Sequence, residues 1–360
     1  MRRAFVHIGM PRTGTTSLQA VLCAHRHELA RAGVLYPNLR PRSASSPHLS
    51  HQYLGEAFDG RRPRAELREL LAALDTELAA TDADVALLSY EGFSQLSRWH
   101  SAPWTLRELF ARHGFQMQIA VTLKAQDLYA QSWYAWRCQF LREPLFFAES
   151  LPGILRHRRF NYLRCVRPWA IAAAGRVIAV PVHAQGTGTP LIERVLEALG
   201  LADRIRTLLS PLEVLRTDNR SPGPAAIEVA RRWRERFGTP RTLVQARTIT
   251  EYIATEAQLR GFASTGFQAL DRATSEHVMA RFAADNDRFA RSMWGENWSR
   301  RVASVPRAPV NAFGPDCPPD HVDAQLEAIA RQACRQFAVP DGHGLLARAR
   351  ALIELPRSAY

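Results

Sequence analysis

The stretch HIGMPRTGTTSLQ, residues 7–19, gathers residue types that grip phosphate. Gly9 and Gly14 stand five apart, the spacing of a G-x-x-x-x-G loop. Glycines at such positions let backbone N–H groups approach an anion, and the start of a following helix adds partial positive charge. A loop that clamps the β- and γ-phosphates of a nucleoside triphosphate carries a lysine directly after the second glycine, then a Ser/Thr that holds magnesium. Thr15 and Thr16 occupy those places here, and the basic residue, Arg12, lies inside the loop. The pattern does not provide a Walker-type grip. It suits a ligand with one 5′-phosphate that carries a transferable group and needs no magnesium.

Such chemistry also needs a group to take a proton from an acceptor. Glu91 ends the run VALLSYE (85–91), and His48 and His51 stand in PHLSHQYL; these three are the candidates for a base. His183 ends a later apolar run, and His7 reads as a buried strand residue. The H-x-x-H spacing of His48 and His51 has no evident third ligand, so no metal site is expected.

The elements that must hold these residues show as apolar runs at 4–9, 33–37, 85–91, 116–124 and 176–183, separated by helical patterns. One such pattern covers 15–33 and ends on glycine; another covers 64–80, with leucines three and four apart. Strands alternating with helices predict an α/β three-layer sandwich around a mostly parallel five-stranded sheet. Ligands of such sheets bind at the carboxyl ends of the strands, so chemistry should collect just after residues 9, 37, 91, 124 and 183. The second half is mostly helical, with amphipathic segments at 224–238 and 275–295. A proline-rich stretch at 305–320 and a short helix after it suggest a main domain over 1–300 and an extension over 301–360.

The chain has 360 residues and is 46% hydrophobic, enough for one large domain with a small appendage. Its net charge is +13, carried almost wholly by arginine. A basic surface can attract acidic partners, but no zinc-finger spacing or RNA-binding aromatic signature accompanies it, so no nucleic-acid partner is expected. No apolar stretch is long enough for a membrane span, and the amino-terminal run leads into a Gly/Pro turn rather than a cleavage site. Five widely spaced cysteines, Cys23, Cys138, Cys165, Cys317 and Cys334, fit reduced thiols and a cytoplasmic location.

PRTGTTS (11–17) resembles the 5′-phosphosulfate-binding loop of sulfotransferases that use 3′-phosphoadenosine 5′-phosphosulfate (PAPS). The resemblance implies that Arg12 contacts the bridging oxygen of the phosphosulfate. It implies that Pro11, Thr13, Gly14, Thr15, Thr16 and Ser17 form the 5′-phosphate cradle. The family's second signature is an arginine at the end of a later strand and a serine eight residues on, both on the 3′-phosphate. VTLKAQDLYAQSW (121–133) has that spacing in Lys124 and Ser132, with lysine in place of arginine. Lys124 is the only lysine of the chain; it binds phosphate as a point charge, without arginine's bidentate fork. Weaker similarity to bacterial members runs to about residue 300.

What this resemblance implies is a P-loop NTPase-like fold, a helical carboxyl-terminal half, and an enzyme that moves a sulfuryl group from PAPS to a hydroxyl or amine. The product is adenosine 3′,5′-bisphosphate (PAP), and no metal is required. The acceptor, an anionic one among the candidates, and the oligomeric state stay open. Glu91, then His51 and His48, are the candidate bases. Other readings are a P-loop kinase or nucleotide-binding protein, and a non-catalytic protein that binds PAP or PAPS.

Overall fold

The computed structural model describes residues 1–96, 101–206, 208–209, 222–262, 265–306, 308–314 and 320–337. Among these, five strands form one sheet: β1 (Arg2–His7), β2 (Val34–Leu35), β3 (Val85–Ser89), β4 (Phe115–Leu123) and β5 (Val177–Pro181). Their order is β2-β3-β1-β4-β5, and every pairing is parallel. The apolar runs therefore mark all five strands. The edge strand β2 keeps only two paired residues, a short edge that offers little to a foreign strand. Central β1 is buried from Ala4 to His7, as expected of a strand covered on both faces.

The helices are α1 (Thr15–Ala24), α2 (Arg26–Arg31), α3 (Gln52–Phe58), α4 (Arg64–Ala80), α5 (Ala102–Arg112), α6 (Gln126–Gln139), α7 (Phe147–Leu155), α8 (Tyr162–Ala172), α9 (Leu191–Ala198) and α10 (Ala202–Ile205). They continue with α11 (Pro224–Phe237), α12 (Leu243–Leu259), α13 (Arg272–Trp294), α14 (Trp298–Arg301) and α15 (Asp320–Gln336). The pattern over 64–80 coincides with α4, which buries Leu70, Leu74 and Leu78. The single helix expected over 15–33 is instead broken at His25, whose φ of −99° and ψ of 23° leave the helical region. There Arg26 donates to the Tyr36 carbonyl at 2.9 Å, a tertiary bond that turns the chain, and Gly33 ends the segment at φ 77°.

By contact, the chain groups into two compact units. The first comprises Met1–Ala125, Arg158–Asn219 and Ala280–Val305 and holds the sheet. On one face Phe5, Val85, Leu87, Ala120 and Val180 pack with Leu18 and Leu22 of α1, Leu29 of α2, Ile192 and Val195 of α9 and Ile205 of α10. The residues of opposite parity face α5 and α8: Phe115 meets Phe110, their rings 6.4 Å apart, and both helices pack on β4. The sheet is thus covered by helices on both faces.

The second unit comprises Gln126–His157, Arg220–Met279 and Pro306–Tyr360; among its described residues it is helical. α11 packs there against α6, α12 and α15. On α6, Tyr129, Trp133 and Tyr134 are buried and Trp136 is half-buried. Glu228 of α11 accepts from Arg231 at 2.8 Å through each oxygen and from Arg232 at 2.7 Å, so a buried carboxylate is held by two guanidinium groups. Of α13, residues 272–279 belong to the second unit and 280–294 to the first. No described helix is long and apolar enough to cross a membrane. Cys23, Cys138, Cys165 and Cys334 are free thiols; Cys317 lies outside the described residues.

Candidate functional site

The loop from Ile8 to Gly14 joins the carboxyl end of β1 to α1. Its first residues continue the sheet's bonding: Ile8 N–H reaches Ala120 O at 2.8 Å and Met10 N–H reaches Thr122 O at 2.9 Å. The chain then curls. Arg12 has φ 68° and Gly14 has φ 78°, with Thr13 between them on the ordinary side. Backbone of alternating hand turns successive N–H groups toward one side, the geometry of an anion-binding concavity. For a non-glycine residue the left-handed region costs about 1–2 kcal/mol, and such cost is characteristic of ligand-shaped loops. Gly14 caps α1, whose first N–H groups have no carbonyl behind them in the helix.

Gly9 has a different reason to be glycine. A Cβ there would stand 2.7 Å from Thr15 Cγ2, 2.8 Å from Thr122 Oγ1 and 2.9 Å from His7 Nε2. No real side chain tolerates three such contacts, so the loop lies directly on a group of polar side chains. Thr13, fully buried, donates its hydroxyl to Met10 O and meets Thr122 Oγ1 at 2.8 Å. Its hydroxyl proton is therefore spent on the loop itself, which leaves its N–H as the donor for an anion. Pro11, Thr15 and Ser17 are also buried, while Arg12 and Thr16 are half-buried.

Beneath the loop, His7 joins three strand ends. Its Nδ1 lies 2.8 Å from Ser89 Oγ of β3 and its Nε2 lies 3.3 Å from Thr122 Oγ1 of β4. The parallel register sets His7 opposite Ser89. The ring has no exposure, and burial lowers its pKa to about 4. From α1, Gln19 Nε2 donates to Ser89 Oγ at 3.2 Å and to Glu91 Oε2 at 3.1 Å. Glu91, half-buried, opens a 3-10 turn over Glu91–Gln95 just after β3. A line of hydrogen bonds thus runs from Glu91 to the loop. His7 is the buried strand residue that the sequence suggests. Gln19, Ser89 and Thr122 were not among the sequence candidates.

His51 belongs to a different arrangement. Its Nδ1 accepts from Ser89 N–H at 2.9 Å, and its Nε2 donates to Pro37 O at 3.0 Å. Only 1% of it is exposed, and burial brings its pKa to about 4. With both nitrogens committed to backbone groups, the ring holds the segment after β2 against the end of β3 and has no nitrogen to offer an acceptor. Half-buried His48 accepts from Ser50 N–H at 3.1 Å, and burial is the main cause lowering its pKa.

Lys124 follows β4 directly and is half-buried, its carbonyl accepting from Tyr162 Oη. Burial, then the positive charge of Arg12, lower its pKa to about 7. Two residues far apart in sequence are therefore brought close enough for one cation to weaken the other. Burial, then the charges of Lys124 and Arg194, lower the pKa of His183. Arg194 donates to Pro181 O, Val182 O and Thr189 O and so fastens α9 to the end of β5. Ser132 is half-buried on α6 of the second unit, one helical segment beyond Lys124.

The arrangement in the first unit can therefore hold an oxyanion: a curled backbone, a helix start and two mutually repelling cations, with a carboxylate tied to the same structure. Among the described residues, no group of three or more His, Cys, Asp or Glu side chains could hold a metal ion. No family model matches the chain, and no curated protein or solved structure matches it.

Proposed function

We propose that the chain is a sulfotransferase that uses PAPS, built on a P-loop-like fold. The observation that carries this reading is the pairing of Arg12 with Lys124. A loop of this kind would otherwise be a generic anion cradle. Burial, then the charge of Arg12, depress the pKa of Lys124, and an anionic ligand beside two such cations relieves the repulsion. The residues present fit the donor. The N–H groups of Thr13 to Ser17, which include the first residues of α1, would form the 5′-phosphate cradle. Arg12 is held in the loop. The resemblance assigns the 3′-phosphate to Lys124 and Ser132.

When bound, PAPS supplies the sulfuryl group, which passes in line to an acceptor oxygen or nitrogen as its bond to PAP breaks. Arg12 would stabilise negative charge growing on the leaving oxygen. Glu91 would take the acceptor's proton. The acceptor is a hydroxyl or amine of a saccharide, lipid or small molecule, and the basic chain favours an anionic one. We place the reaction in the cytoplasm.

Calorimetry with PAP, and separately with ATP and magnesium, tests the reading. Binding of PAP with indifference to ATP–magnesium is expected. Arg12→Ala should abolish transfer, Lys124→Ala should weaken PAP binding at least tenfold, and Lys124→Arg should preserve or tighten it. Binding of ATP–magnesium in preference to PAP would end the proposal. Full PAP affinity in Lys124→Ala would show that the 3′-phosphate is held elsewhere.

A further inference from the structure

The polar groups between Glu91 and the loop can donate in one direction only. Thr13 gives its single hydroxyl proton to Met10 O. The 2.8 Å contact between Thr13 and Thr122 must then use the proton of Thr122. Thr122 Oγ1 is left with lone pairs for His7 Nε2 at 3.3 Å, which makes Nε2 the protonated nitrogen. In the neutral ring, which its burial favours, Nδ1 carries no proton and accepts from the Ser89 hydroxyl at 2.8 Å. Ser89 Oγ in turn accepts from Gln19 Nε2 at 3.2 Å, and the second N–H of that amide reaches Glu91 Oε2 at 3.1 Å. The opposite amide orientation would set Gln19 Oε1 against the Glu91 carboxylate, acceptor against acceptor. Every proton in the line is assigned by its neighbours.

This line adds side-chain bonds to those the sheet's backbone makes, and it brings α1 to the strand ends. Gln19 belongs to α1, His7 to β1, Ser89 to β3, Thr122 to β4 and Thr13 to the loop. Gly9 lies on top of it, with no room for a side chain. Ser89 is also gripped from its other side, where its N–H donates to His51. The residue that precedes the Tyr90–Glu91 step is thereby fixed through both its backbone and its side chain.

We propose that Gln19 and His7 are positioning residues of this site. Gln19 holds the Glu91 carboxylate directly through Oε2 and is itself seated on Ser89, which His7 holds; through Thr122 and Thr13 the line is registered to the loop. The catalytic consequence rests on the reading of Glu91 as the base; the hydrogen-bonded line does not.

The test uses the full chain labelled with 15N-histidine and 13C-glutamate, and PAP as the ligand probe. In the unaltered protein His7 should appear as the neutral Nε2–H tautomer throughout pH 5–8. An Nδ1–H tautomer, or an imidazolium at pH 6, overturns the proposal without need of a variant. In Gln19→Met, which keeps length and removes the donor, the side-chain carboxyl 13C resonance of Glu91 should move at fixed pH 8, because the bond to Oε2 is lost. His7→Gln should move it by less. A Glu91 resonance unmoved in folded Gln19→Met overturns the proposal. PAP binding separates the two readings: if PAP fails to bind while the tautomer and the change at Glu91 appear as stated, the donor assignment falls and the positioning role stands.

Discussion

Lowering the pH from 8 to 5 puts a proton on an ordinary histidine, and His7 and His51 are placed to refuse it. Both are essentially without exposure, and in both one ring nitrogen accepts while the other donates. A second proton on His51 Nδ1 would face the Ser89 N–H, donor against donor. Each folded pKa is about 4, against 6.5 for an unperturbed ring. The folded value lies below the unfolded one, so the stability is fully present above pH 6.5 and is lost as the pH falls toward 4. For one such ring the difference in proton binding integrates to about 2 kcal/mol between pH 8 and pH 5, and to about 3 kcal/mol by pH 4. The two rings together make about 4 kcal/mol at pH 5, a large part of an ordinary domain's stability.

Urea unfolding at pH 8, 7, 6 and 5 measures this. Absolute stabilities contain every carboxylate and histidine of the chain, so the useful quantity is the difference in pH dependence between the unaltered protein and His7→Gln or His51→Gln. Each variant should be less stable at pH 8, yet lose about 2 kcal/mol less on going to pH 5. A loss identical to that of the unaltered protein in both variants would refute the reasoning, since it would mean that the rings are protonated as readily when folded as when unfolded.

The site offers two further expectations. Gly9→Ala should destabilise the protein by about 1–3 kcal/mol, the usual range for overpacking, because its methyl would meet three side-chain atoms closer than 3 Å; thermal unfolding reads this, and an unchanged midpoint would show that the loop does not rest on His7 and Thr122. Lys124, with a pKa of about 7, is mostly neutral at pH 8, so binding of PAP there should take up close to one proton and weaken as pH rises from 7 to 9; calorimetry in buffers of different ionisation enthalpy reads the uptake, and its absence in the unaltered protein would place the ligand away from Lys124.

The parts of this architecture that were legible in the sequence are those written in continuous stretches. Buried parallel strands read as unbroken apolar runs, so all five were visible, and the α4 leucines carried their own periodicity. The glycine spacing marked the curled loop that joins β1 to α1. What the chain could not show is convergence. The break at His25 depends on Arg26 finding the Tyr36 carbonyl. The candidacy of His51 rested on its place after β2, and its actual partners, Pro37 O and Ser89 N–H, come from two separate segments.

The line from Glu91 to the loop is the clearest case. His7, Ser89 and Thr122 are single polar residues at the carboxyl ends of apolar runs, and taken one at a time each is unremarkable. Their common feature is parity. With Phe5, Leu87 and Ala120 on one face of the sheet, the residue two further along each strand falls on that same face, because side chains alternate along a strand. Those residues are His7, Ser89 and Thr122. Three polar residues near the strand ends on one face, with Thr122 two residues beyond the partner of His7 on β4, would be a readable signature of a buried hydrogen-bonded line, provided the strands are known to be neighbours. The order β3-β1-β4 supplies that condition. It arises because the chain crosses over β1 between β3 and β4, and no local pattern records such a crossover.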